Sequence, residues 1–273
     1  MSGAGSQRLG NRPGRIATVV ILVTVGLAFA IPLLSMVEFT LRSVLGGYGF
    51  DHWFALIDPE NERKYRTLFT GILNSLVLAV LTVLVMLALL VPTMILVQLQ
   101  CPKLRRALEL ICLLPITVPA IALVVGLAPV YSVIAGVFGS GAWTLAFAYG
   151  ILVLPFAYRA IQSNLQAIDL ATLTEAARTL GAPWGTVIVR VIVPGLRRGL
   201  LASSVISIAV VLGEYTIASL LNRQNLQTAL VQASKSDPYT AVILSLLSLI
   251  FAFVLLAVIG RVGAGHPQNR TTS

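Results

Sequence analysis

Residues 16–37, 68–99, 108–130, 143–161, 200–221 and 240–260 are apolar runs that reach or exceed the roughly 20 residues that a helix needs to cross a bilayer. In lipid every backbone N–H and C=O must find its partner within the protein, which restricts such runs to helices. Only 11% of the 273 residues are charged and 57% are hydrophobic, whereas soluble domains carry roughly a quarter charged residues. No stretch of useful size remains for a soluble domain. The sequence predicts an all-α, polytopic membrane protein with six transmembrane helices.

The net charge of +9 would suggest nucleic acid in a soluble protein, but here the cations collect where apolar runs end. Arg8, Arg12, Arg15, Lys103, Arg105, Arg106, Arg159, Arg178, Arg190, Arg197, Arg198, Arg261 and Arg270 all fall on one side if the runs alternate. That is about twice as many as fall on the other side, and the richer side faces the cytoplasm. Both termini are then cytoplasmic, as tails 1–15 and 262–273, and nucleic acid is rejected as a partner. The first run follows three arginines, yet its length and the lack of a convincing A-x-A site mark an uncleaved helix rather than a signal peptide. Loop 38–67 has balanced charge and is expected outside. Within it Phe50, Trp53, Phe54 and Leu56 suggest a short amphipathic element, with His52 as a surface residue.

Run 68–99 is long for one perpendicular span, and Pro92 offers a kink. Cys101 and Cys112 are expected to be packing residues, not a disulfide or metal pair. Pro115, Thr117 and Pro119 sit in Leu114-Pro115-Ile116-Thr117-Val118-Pro119, which interrupts regular helix within the third run. Broken backbone at that depth is tolerated where it is buried or lines a cavity, so these three are pathway candidates, with packing kinks as the alternative. Glu214, followed by Tyr215, lies roughly 21 Å along a helix from Leu200. A carboxylate there costs about 2–3 kcal/mol unless it faces the bundle interior, a partner or water, so Glu214 and Tyr215 join the candidates. A structural hydrogen bond is the competing role. Ser203, Ser204 and Ser207 suit close helix packing. The histidines are His52 and His266, no H-E-x-x-H or phosphate-cradling glycine pattern occurs, and neither catalysis, a cofactor nor a metal is expected.

The main polar interruption of the second half is residues 163–198. Thr172 and Glu175 have capping-box spacing, so a helix is expected to begin near Thr172. Gly181 can turn left-handed past its end, and Pro183 can open a second helix. Ala176 and Ala177 offer a smooth face for close approach, and Glu175 and Arg178 are spaced to pair. Glu175-Ala176-Ala177, three residues, Gly181, nine residues, then Val191-Ile192-Val193-Pro194 resembles the E-A-A-x3-G-x9-I-x-L-P loop of the inner-membrane permeases of binding-protein-dependent ABC importers. Val191 and Val193 replace the usual Ile and Leu.

That resemblance implies a type I importer permease domain over 68–261 in a bacterial inner membrane. It implies a coupling loop at 163–198 containing Thr172, Glu175, Ala176, Ala177, Gly181, Val191 and Pro194. The implied partners are a second permease, two ATPase subunits that carry the hydrolysis, an extracytoplasmic solute-binding protein and membrane lipid. The segments Pro115–Pro119, Leu212-Gly213-Glu214-Tyr215 and Leu226-Gln227-Thr228-Ala229-Leu230 look most like the spermidine/putrescine branch, whose relatives carry thiamine, ferric iron, sulfate, molybdate or aminoethylphosphonate. An ATP-independent carrier or a structural helix bundle is the more distant alternative, and the inverted repeats expected of such a carrier are not visible.

Overall fold

The computed structural model describes residues 15–43 and 46–264. Arg8, Arg12, His266 and Arg270 lie outside the described residues. The described residues are mainly helical: α1 (Arg15–Leu41), a short α2 (Asp51–Ile57), α3 (Glu62–Gln100), α4 (Arg105–Leu113), α5 (Ala120–Phe138), α6 (Ala146–Leu165), α7 (Leu170–Thr179), the single turns α8 (Trp184–Thr186) and α9 (Val193–Gly195), α10 (Arg197–Gly213), α11 (Thr216–Leu220), α12 (Leu226–Ser236) and α13 (Pro238–Ala264). Among the described residues no strand forms beyond one isolated bridge between Arg42 and Tyr48.

The core is built where α3, α6 and α10 pack on one another. Leu78, Met94 and Ile95 of α3 meet Tyr149, Val153, Ala157 and Ile161 of α6 and Val211 of α10, all at or near complete burial. Ser203 and Ser207 are also fully buried, and their hydroxyls donate back to the carbonyls of Leu200 and Ser203. They are satisfied within α10 and act as small packing residues. A second cluster joins Tyr65 and Leu68 of α3 to Leu226, Ala229 and Leu230 of α12 and Leu244 of α13. Gly71 makes that contact possible, because a Cβ there would lie 2.7 Å from Ala229 Cβ and 2.8 Å from the Asn225 carbonyl oxygen.

The aromatic loop segment does form a helix, α2, which packs on α1 and α13. His52 is more than a surface residue: its ring stacks on Tyr239 at 3.9 Å, and Phe39 of α1 stacks on that tyrosine at 4.9 Å. This ties the loop to the start of α13.

Four helices among the described residues are long and apolar enough to span a membrane: α1, α3 from Tyr65, α5, and Ala142–Leu165, which includes α6. The pair Trp184–Gly195 and Arg197–Gly213, bent by 75°, makes a fifth if counted as one span, and α13 adds a shorter apolar stretch, Pro238–Val254. Helix α3 runs unbroken through Pro92 for 39 residues. At roughly 58 Å it exceeds the bilayer core, so its charged first turns extend beyond it. The third apolar run divides differently from expectation. Pro115 and Pro119 break it, and the helix of spanning length is α5, ending eight residues later than 130, at Phe138.

Candidate functional site

The polar loop after α6 folds into α7, a tight corner, and a bent helix that leads into the core. Asp169, not Thr172, caps α7: its carboxylate accepts from the Thr172 amide at 3.2 Å and from the Thr172 hydroxyl at 2.6 Å. D-x-x-T and T-x-x-E overlap in this sequence, and the earlier signal wins, adding a half-turn to the helix. These bonds from the Thr172 side chain and amide hold the Asp169 carboxyl below its ordinary range.

At the other end Gly181 has φ +82°. Its amide donates to the Arg178 carbonyl at 2.9 Å, and the Ala182 amide donates to the Ala177 carbonyl at 3.1 Å. These two bonds are those of a Schellman motif. Arg178 does not pair with Glu175. Its guanidinium donates to the Ala182 carbonyl at 3.1 Å and lies 5.5 Å from the Trp184 ring centre, bracing the corner from outside. The next helix starts after Pro183, as expected, but Val187–Ile192 is a π-helical stretch, which the sequence did not signal. That stretch packs on α7. Pro194, which lacks an N–H, follows directly in α9.

Helix α7 carries two adjoining apolar stripes. Leu170, Thr174 and Ala177 face the helical core, so Ala177 is not on the free face expected of it. Leu173, Ala176 and Leu180 are exposed, and Leu180 at the corner is 89% exposed. Their spacing places them on one side of the helix. Glu175, Thr172, Gly181 and Pro194 are exposed around them, and Val191 is half-buried. Leu180 is the residue that sequence reasoning missed, because exposure next to a left-handed glycine is not visible in a pattern of residue types.

The pathway candidates fall in two separate breaks. In the first, Leu114–Thr117 is a 3-10 turn, Pro115 is buried, Thr117 donates to the Leu114 carbonyl at 2.7 Å, and Pro119 caps α5. Ile116 of this turn borders a cavity with Pro155, Phe156 and Arg159. In the second, α10 stops at Gly213, so Glu214 is not inside a continuous helix as expected. Its carboxylate instead caps α11, accepting from the Ile217 amide at 2.9 and 3.1 Å, and the residue is 8% exposed. Tyr215 is exposed at a different cavity. The two breaks therefore do not share a chamber.

Asn225, fully buried, organises the second break. Its Nδ2 donates to the Glu214 carbonyl at 2.7 Å and to the Tyr149 hydroxyl at 3.2 Å, and its Oδ1 accepts from the Thr228 amide at 2.9 Å. With Thr228 it forms a full capping box for α12. Flanking bonds reach α3 and α10: the Leu226 amide to Ser75 Oγ, Gln224 to the Thr67 carbonyl, and Gln227 to the Leu212 carbonyl.

Comparison with known proteins places residues 100–272 within the family described as binding-protein-dependent transport system inner membrane component. No curated protein matches the chain.

Proposed function

This chain belongs to the family of inner membrane components of binding-protein-dependent transport systems, permease subunits of ABC importers that are not themselves catalytic, and we propose that α7 is the element through which its ATPase partner drives it. The observation that carries this reading is the exposed stripe Leu173, Ala176 and Leu180 on a helix fixed at both ends. An apolar knob held rigidly outside the membrane runs suits burial in a partner's groove.

The mechanical path is short. Helix α7 packs on the π-helical stretch, which continues through α9 and bends by 75° into α10. Helix α10 packs on α3, α6 and α13 and ends at the Glu214 break. Displacement of α7 by closure of the ATPases thus levers a core helix and shifts the break at its far end. In this reading the subunit has six spans with both termini and residues 163–198 cytoplasmic. It pairs with a second permease and two ATPase subunits, and receives its solute from an extracytoplasmic binding protein.

For the solute, resemblance of the Pro115–Pro119, Glu214 and α12 segments to the spermidine/putrescine branch supports a polyamine. Thiamine, ferric iron, sulfate, molybdate and aminoethylphosphonate are the alternatives within the same importer class. Co-purification tests the core of the proposal. The subunit should bring down an ATPase in mild detergent, and Gly181→Val, which forces a β-branched residue into a left-handed conformation, should release it while membrane insertion persists. An ATPase that stays bound to Gly181→Val, or one that never co-purifies with the native chain, would remove the reading.

A further inference from the structure

A cavity of about 680 Å³ lies between the start of α3, α11 and α12, with Tyr215, Ser219, Arg223, Gln224, Gln232 and Lys235 in its wall. Its volume is in the range of small-molecule sites. The lining holds two cations and no carboxylate. Among the described side chains, two acids of the neighbouring segments are engaged elsewhere: Glu214 caps α11, and Asp237 borders a neighbouring cavity, where it accepts from the Tyr65 hydroxyl and the Thr240 amide.

Arg223 is held there by the backbone. Asn222 takes φ +50° past the end of α11, its amide donates to the Ser219 carbonyl, and the Arg223 amide donates to the Ala218 carbonyl at 2.8 Å. This repeats the Schellman geometry of Gly181 with asparagine as the left-handed residue. On the other side Gln224 and Asn225 are pinned to Thr67 and Glu214. The Arg223 Nε is nevertheless buried without a hydrogen-bond partner. Arg223 as a whole is only half-buried, at the cavity wall, and its guanidinium fork matches an oxyanion in shape and charge.

We propose that this cavity binds an oxyanion of the phosphate, sulfate or carboxylate type, held by Arg223 with Lys235 as a second cation. The proposal rests on the permease reading but departs from its polyamine assignment, favouring instead the oxyanion solutes among the alternatives, sulfate, molybdate and aminoethylphosphonate. A polyamine would meet like charges in this cavity, whereas a solute bearing an oxyanion would meet the opposite charges of Arg223 and Lys235. Tyr215 in the wall immediately follows the Glu214 break, so an occupant would lie against the part of the membrane helix that α10 moves.

The test uses the assembled transporter in phosphatidylcholine nanodiscs, with thermal unfolding followed at constant ionic strength during titration with sulfate, inorganic phosphate or spermidine. Sulfate or phosphate should raise the midpoint saturably, and spermidine should not. Arg223→Gln should weaken the response at least about tenfold, Lys235→Gln should weaken it less, and Arg223→Lys should restore part of it, which separates loss of charge from misfolding. Adding phosphatidylglycerol distinguishes the sources of the anion: competition identifies a lipid headgroup, and an unchanged response identifies a soluble solute. The proposal is overturned by an absent anion response, by one that Arg223→Gln leaves intact, by stabilisation with spermidine instead, or by protection from the solute-binding protein alone. ATPase co-elution, scored on the same preparation, reports separately on the permease reading.

Discussion

Asn225 reaches back to donate its Nδ2–H to the backbone carbonyl of Glu214 at 2.7 Å, tying the end of α10 to the start of α12. One buried side chain thereby satisfies a carbonyl at the helix break and an orphan amide in the first turn of the next helix. Asn225→Ala leaves both groups unpaired in a buried site. The expected loss is about 2–3 kcal/mol, read as a lower thermal unfolding midpoint of the complex. Asn225→Asp, which keeps the Thr228 acceptor but sets a buried carboxylate oxygen against the Glu214 carbonyl, should lose at least as much.

Glu214→Gln keeps a side-chain oxygen to accept from the Ile217 amide, so α11 should retain its cap. Assembly with the ATPase should be unchanged while the uptake rate changes, because the charge next to the break is gone. Glu214→Ala should lower the unfolding midpoint as well. Loss of assembly in Glu214→Gln would make the residue structural only.

Gly71→Ala places a methyl group 2.8 Å from the Asn225 carbonyl oxygen, a backbone atom that cannot rotate away. Overpacking of this kind costs about 1–3 kcal/mol. Hydrogen exchange should rise across 225–236, where α12 is lifted from α3, and stay unchanged across 170–181.

The cap of α7 titrates. Its hydrogen bonds hold the Asp169 carboxyl below its ordinary value, so the folded state favours the carboxylate. The stabilisation is therefore present above the ordinary carboxylate pKa and is lost as pH falls through the lowered folded value. Amide exchange at Thr172 should stay protected near neutrality and accelerate only in acid below the usual Asp range. Asp169→Asn should abolish that acid dependence while keeping protection, and Asp169→Ala should lose protection at every pH.

Much of this was legible in residue types. Apolar runs forced helices, Gly181 announced its left-handed turn, and Pro115 with Pro119 announced a break. What was not legible depended on partners distant in sequence. No proline marks the end of α10, and the break at Glu214 forms because Asn225 and the Ile217 amide take up the groups it frees. The cavity that Arg223 lines exists only once α12 packs across Gly71 on α3, a contact between segments distant in sequence. The choice of Asp169 over Thr172 as the cap was undetermined locally, since both satisfy the same spacing rule. The division of α7 into an inward and an outward stripe required the π-helical stretch that covers Ala177.

The central claim, that α7 presents its exposed stripe to the ATPase, is tested most directly by placing a photo-crosslinking residue at position 180 in the assembled transporter, with position 54 as the control. Leu180 and Phe54 are both highly exposed apolar residues, one at the α7 corner and one on α2. The account predicts an adduct of the ATPase subunit with position 180 and none with position 54. An ATPase adduct at 54, or its absence at 180 in a complex that still hydrolyses ATP and transports, would contradict it.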